Sequence, residues 1–422
     1  MAIRPTPLIK TQALISIYEE SKELWNLEKD RESRNPVIKS AEFAYKATDL
    51  VQINDDGVKS AAKHLRCKLL VESYTPRTWR THPLHLCPSD TYDLSEPMNR
   101  SMLDWIFLIS SLNFSFWSEK EGRPDRYGVE WRAGWGSDEI KVWTGYWALV
   151  ASLNRALEEE IPITDPRFYS SEILCPDSLI EYVFRATKQS NESIPLLGER
   201  IAIMREVGYI LCNSYGGSFK GFLDEFKRQH QDQGTSLDLV KMVTQSFPSF
   251  RDEVYYENTK VFLWKRAQIM VAEIWAAFYP ASQDTPHPLF RGIKGPEISS
   301  LTMFADYRVP QILHHLCILK YPASLLRKLN SLTPLAYGCR EEVSLRSASI
   351  VAVERVREEI LRLIKLEGGD DTAASKSGTA SSVIIDFYLW DLAKRVERGE
   401  EKIEGIKTAE NVPTHRTRSI WY

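Results

Sequence analysis

Nowhere in the 422 residues is there an uninterrupted run of about 20 apolar side chains, the length a helix needs to cross a bilayer. The most apolar stretch, MLDWIFLISSLNFSFW (102–117), is too short and too polar at its ends, and reads as core. An excess of positive charge is also missing: Lys+Arg number 54 against Asp+Glu 57, for a net charge of −3, with no long basic block. That balance lacks the electrostatic footprint of a nucleic-acid binder and favours a small ligand. Cysteine is sparse, six in all, with no CxxC pair and no signal peptide, so reduced thiols in a cytoplasmic or nuclear protein are expected, without disulfides or structural zinc. HPLH (82–85) and His314-His315 lack the third ligand and spacing of a metal site. A GxSxG elbow, a P-loop and a dinucleotide fingerprint are absent too, and Gly216-Gly217 is better read as a helix C-cap.

What remains is an ordinary globular composition, 43% hydrophobic and 26% charged. Apolar spacing predicts a helix running into an extended segment over 36–54, a second helix over 57–69, and a long one carrying Val353, Val356, Ile360, Leu363 and Ile364 on one face, ended by Gly368-Gly369. Another carries Val383, Phe387 and Trp390. Two β-hairpins are expected, one turning at Gly136-Ser137-Asp138 and one at Glu257-Asn258-Thr259. The fold class is therefore mainly α, a helical body with one or two small hairpins packed on it. Residues 1–35 have a helical pattern and read as an extension preceding a domain over 36–422; proline-rich 73–98 and glycine-serine-rich 368–382 read as insertions outside any site.

Tryptophan (12) and tyrosine (18) are concentrated in NFSFW (113–117), TGYW (144–147) and FYLWD (387–391). Most such side chains in a helical protein are core, yet the same clusters, interleaved with single polar residues, are how a pocket stacks a planar heterocycle. In SLTMFADYRVPQIL (300–313), Pro310 marks a helix mouth, so Asp306 to Val309 form a turn in which Asp306 either caps the helix or does chemistry. Lys265 and Arg266, at a strand-to-helix junction, are either surface charge or a phosphate site.

Taken in order, LNFSFW (112–117), TGYWALVASLNRALEEEIPIT (144–164), GGSF (216–219), SFPSFRD (246–252), KRAQI (265–269), the 300–313 stretch and FYLWD resemble the queuosine salvage family, the queuosine 5′-phosphate N-glycosylases. The resemblance implies an all-helical scaffold similar to that of helix-hairpin-helix DNA glycosylases. It also implies hydrolysis of free queuosine 5′-monophosphate to queuine and ribose 5-phosphate, so that the base is reused for tRNA modification. On that reading the chain is a monomer needing no cofactor, metal, membrane or direct nucleic-acid partner. Asp306 would stabilise the oxocarbenium-like ribose of the transition state. Phe114, Phe116, Trp117, Trp147 and Tyr388 would hold the base, and Asp252 or Asp391 would bind either the cationic amine of queuine or its guanine-like edge. Lys265, Arg266, Tyr307 and Arg308 would serve the phosphate and sugar. The alternatives are a carrier that binds queuine without cleavage, and a glycosylase acting on DNA or RNA.

Overall fold

The computed structural model describes residues 35–89, 92–282, 285–290, 298–368 and 380–422, so the predicted N-terminal helix and most of the 368–382 loop lie outside the described residues. Fourteen α-helices are described: α1 (Pro36–Thr48), α2 (Asp55–Val71), α3 (Pro97–Ser111), α4 (Tyr146–Glu158), α5 (Pro166–Tyr169), α6 (Asp177–Val183), α7 (Leu197–Ser214), α8 (Phe219–His230), α9 (Ser236–Ser246), α10 (Lys265–Ala277), α11 (Val309–His315), α12 (Ala323–Asn330), α13 (Arg340–Leu366) and α14 (Ser382–Glu397). Three antiparallel pairs complete the described structure: β1 (Gln52–Ile53) with β6 (Leu319–Lys320), β2 (Gly128–Arg132) with β3 (Ile140–Thr144), and β4 (Glu253–Tyr256) with β5 (Thr259–Phe262). The expected mainly α class is what the structure shows.

Two helices form the centre. In α10, and in α3 from Met102 onward, nearly every residue is buried, polar ones included, which is the pattern of a helix surrounded by protein on all sides. They pack on each other, while the 27-residue α13 packs against α1, α2 and α14. The C-terminal end of α3 and the N-terminal end of α10 therefore need partners for their free backbone groups, and these ends border the cavity described below.

Both predicted hairpins are present. In the β4–β5 turn Glu257 (φ 45°) and Asn258 (φ 60°) are both left-handed, as a two-residue turn matched to the strand twist requires, and Thr259 already belongs to β5. Gly217 (φ 73°) closes α7 by donating its N–H to Leu211 O at 2.9 Å, the expected C-cap. In the β1–β6 pair, only two residues per strand, β1 falls in the extended segment expected within 36–54, while β6 and the pairing were not foreseen because so short a strand has no period to read.

The 73–98 stretch departs from expectation. It contains a 3₁₀ turn, Pro76–Thr81, whose Arg77 and Arg80 donate to Tyr279 O (2.9 Å) and Ala277 O (2.7 Å) at the C-terminal end of α10. These bonds satisfy carbonyls that the helix itself leaves free and clamp the segment to the core. Its prolines mark a compact turn and not a loose loop, and the segment forms a wall of the cavity.

Candidate active site

A cavity of about 310 Å³ opens between the 74–85 segment, the residues after α3, the start of α4, one face of α10, the turn before α11 and one face of α14. Its size is within the range of small-molecule sites. The elements arrive there for local reasons. On α10, Lys265, Ile269 and Glu273 recur every four residues and present one stripe. On α14, Asp386, Phe387, Trp390, Asp391, Lys394 and Glu397 do the same. Ser115, in a left-handed conformation (φ 55°), turns the chain so that Phe116 and Trp117 reach the cavity. Arg418 braces that turn, donating to Trp117 O (3.0 Å) and Ser115 Oγ (3.2 Å) while its guanidinium lies 3.5 Å from the Trp117 ring centroid.

Asp306 sits at the mouth of α11. Its Oδ1 accepts the N–H groups of Arg308 and Val309, both at 2.8 Å, so it does cap the helix entrance, and the helix begins one residue before Pro310. Its Oδ2 has no hydrogen-bond donor among the described residues. Asp306 is 8% exposed and lines the cavity. Capping and chemistry are thus not exclusive: one oxygen serves the backbone and the other is left over.

Around Asp306 the titratable groups are displaced from their usual ranges. Asp386, whose Oδ1 accepts Phe304 N–H at 2.9 Å, is pushed well above the carboxylate range by burial and by the charge of Asp306, against the pull of that amide. Glu273 accepts Tyr146 O–H (3.2 Å) and Ser110 O–H (3.3 Å), and burial raises it to about 7. Lys265 donates to Asn113 O (3.1 Å) and Oδ1 (2.9 Å); burial lowers it to about 8, with the Asp306 charge working the other way. Asp391 is raised by burial although Tyr74 donates to its Oδ2 at 3.1 Å. Lys394 falls to about 7, first through burial and then through the neighbouring Arg308. Asp386, biased toward its protonated form beside Asp306 and a lysine, is a carboxyl able to hold a proton at neutral pH.

The aromatic wall is continuous. Trp147 and Trp390 meet edge to face at 6.1 Å, Tyr146 lies against both, and the His82 ring stacks on Trp147 at 3.5 Å with an interplanar angle of 2°. Burial holds His82 near 4 and His85 near 3, so both imidazoles are neutral. Neutral rings fit a site for a flat base, and among the described residues no group of side chains could hold a metal ion.

Of the residues singled out from sequence, Phe116, Trp117, Trp147, Lys265, Asp306, Tyr307, Arg308 and Asp391 line the cavity. Phe114, Asp252, Arg266 and Tyr388 do not. Phe114 is wholly buried between the guanidinium groups of Arg200 (4.3 Å) and Arg266 (5.1 Å). Arg266 donates to Ser111 O and Ser249 O, capping the end of α3. Asp252 is paired in the core with Arg346 (2.5 Å), whose Nε donates to Ala305 O (2.8 Å) next to Asp306. Tyr388 donates to Glu72 (3.0 Å) and packs edge-on against Tyr74, one layer behind the wall. Sequence reasoning missed Glu273, Asp386, Tyr146, Trp390, His82 and Lys394. The four-residue spacing from Lys265 to Glu273 and from Asp386 through Trp390 to Lys394 was the available signal; stopping at single short motifs hid it.

The family model described as queuosine salvage protein matches residues 94–422 of this chain. A relative from Schizosaccharomyces pombe, named queuosine 5′-phosphate N-glycosylase/hydrolase, is 37% identical over 92% of this chain and 99% of its own length. Proteins of the same name from Bos taurus (35% identical, covering 91% of this chain and 97% of the relative) and Sphaerobacter thermophilus (30%, 93% and 99%) match as broadly. A match of this extent, over the stretches that build the cavity, makes the chain a member of the queuosine salvage protein family.

Proposed function

We propose that this chain hydrolyses the N-glycosidic bond of queuosine 5′-monophosphate, giving queuine and ribose 5-phosphate for reuse of the base in tRNA modification. The relatives carry the name of that activity, and the observation that supports it in this chain is Asp306, with Oδ1 held by two backbone amides and Oδ2 uncommitted on the wall of an aromatic cavity. As the bond from C1′ to the base breaks, its electron pair leaves with the base and positive charge builds on the ribose. A carboxylate already fixed beside that carbon stabilises the charge without reorganising, and water then adds to C1′, its lost proton passing to a carboxylate of the site. The base of queuosine has carbon where a purine has N7, so it cannot leave by protonation there. A proton held in the site must meet the departing base elsewhere on its edge, and Asp386 is the buried carboxyl most strongly biased to keep one.

Trp147, Trp390, Tyr146 and Phe116 provide faces for the base. Glu273 and Asp391, on either side of that wall, suit a cationic amine and the guanine-like edge. Asp252 and Arg266 act behind the site as supports for Asp306 and for the end of α3, and Tyr388 and Phe114 as packing. The scaffold is read as one related to helix-hairpin-helix DNA glycosylases that acts on a free nucleotide as a monomer in the cytoplasm, with side chains and water as the only chemical agents.

Incubating the purified protein with queuosine 5′-monophosphate and following queuine by mass spectrometry tests the reading. Release by the wild type, reduced about 10²–10³-fold in kcat by Asp306→Asn, is expected. Stoichiometric retention of base with no ribose 5-phosphate would make the protein a carrier instead.

A further inference from the structure

Four cations line the cavity: Arg126, Lys265, Arg308 and Lys394. Three are already answered. Arg126 pairs with Glu121, Arg308 with Glu397 at 2.8 Å, and Lys265 with the two oxygens of Asn113. Lys394 has neither a hydrogen-bond acceptor nor an ion-pair partner among the described residues; its nearest special contact is the Trp390 ring, 5.3 Å from Nζ to centroid. Burying an ammonium without an acceptor is costly, and burial is the first cause of its displacement to about 7. Among the described residues only Glu397 and Glu121, each already paired with an arginine, and the face of Trp390 work the other way.

The neighbours say what would. Arg308 is close enough to push Lys394 further down, while Glu397 and Glu121 are each held by an arginine, so this end of the cavity carries one unmatched positive charge. Gly145 stands opposite, and a Cβ built there would lie 4.0 Å from Lys394 Nζ. It opens α4, a 13-residue helix whose first amides have no acceptor four residues back, and its left-handed φ of 63° suits a residue without a side chain. A side-chain cation facing the open backbone of a helix start is a combination that suits a phosphate. The position is right as well: Trp390 lies one helical turn from Lys394 on α14, and Arg308 two residues from Asp306, so a nucleotide with its base on Trp147 and Trp390 and its sugar at Asp306 extends its 5′ end toward this group.

We propose that Lys394 reads the 5′-phosphate of the substrate and thereby sets the preference for nucleotide over nucleoside. The assignment rests on the hydrolase reading above and adds a residue that none of the sequence motifs singled out. Glu397 and Glu121 keep their arginines from competing for the phosphate, so the unpaired ammonium carries the recognition.

Calorimetric titration with the two reaction products separates the ends of the site. For Lys394→Met the affinity for ribose 5-phosphate should fall about 10- to 100-fold, while that for queuine stays within about 2-fold. Lys394→Arg should recover most of the loss, and melting curves of both variants should match the wild type. Unchanged ribose 5-phosphate binding in Lys394→Met, equal weakening of both products, or no ribose 5-phosphate binding by the wild type would overturn the assignment. Wild-type protein that binds ribose 5-phosphate through Lys394 yet releases no queuine from the nucleotide would refute the hydrolase reading and leave the phosphate site standing.

Discussion

At Asp306 a single carboxyl has two duties, and substitutions separate them. Asparagine keeps an oxygen for the amides of Arg308 and Val309 but not the charge, so Asp306→Asn should melt close to wild type while losing turnover. Asp306→Ala removes the cap too and should cost about 1 kcal/mol more in denaturant unfolding. Glu273 offers a test by pH. Its carboxyl, held near 7 by burial, is neutral below that pH and charged above it, so affinity for a cationic base should rise as pH increases through 7. In Glu273→Gln that dependence should vanish from a calorimetric titration with queuine. Asp306 was legible in sequence because proline announces a helix mouth; Glu273 and Asp386 were not, since a carboxylate inside an apolar helix carries no local mark of which wall it faces.

Among the elements, the turn before α11 and the long α13 are linked by one buried arginine. Arg346, fully buried, holds Asp252 and Glu342 and also the carbonyl of Ala305. Arg346→Met would strand two carboxylates in the core, and a loss of about 3–5 kcal/mol is expected in urea unfolding. This explains why Asp252 looked like a site residue: an aspartate closing the aromatic SFPSFRD stretch is equally compatible with a ligand contact and with a core ion pair, and only the three-dimensional position of Arg346, 94 residues later, decides. Helices with one apolar face and hairpins with turn residues could be read directly. The 3₁₀ segment Pro76–Thr81 could not, because its structure depends on Arg77 and Arg80 reaching the distant end of α10.

For the whole molecule, the cavity draws on residues from Tyr74 to Tyr422, so no stretch of the chain contains the site by itself. The relatives from Schizosaccharomyces pombe and Sphaerobacter are each matched over 99% of their length by 92–93% of this chain. A chain starting at Asn35, without the extension that the sequence pattern sets apart from the domain over 36–422, should retain kcat/KM for the nucleotide to within about 2-fold, measured by queuine release. Such long-range assembly also concentrates four of the 12 tryptophans, Trp79, Trp117, Trp147 and Trp390, on a single small volume. The edge-to-face pair of Trp147 and Trp390 is a chiral arrangement of two indoles, with a neutral imidazole lying flat on one of them. A base seated against Trp147 and Trp390 must alter both the near-ultraviolet circular dichroism and the fluorescence of that pair, while Trp147→Phe should silence the change. The protein thus carries its own optical reporter of occupancy, readable without label and without turnover.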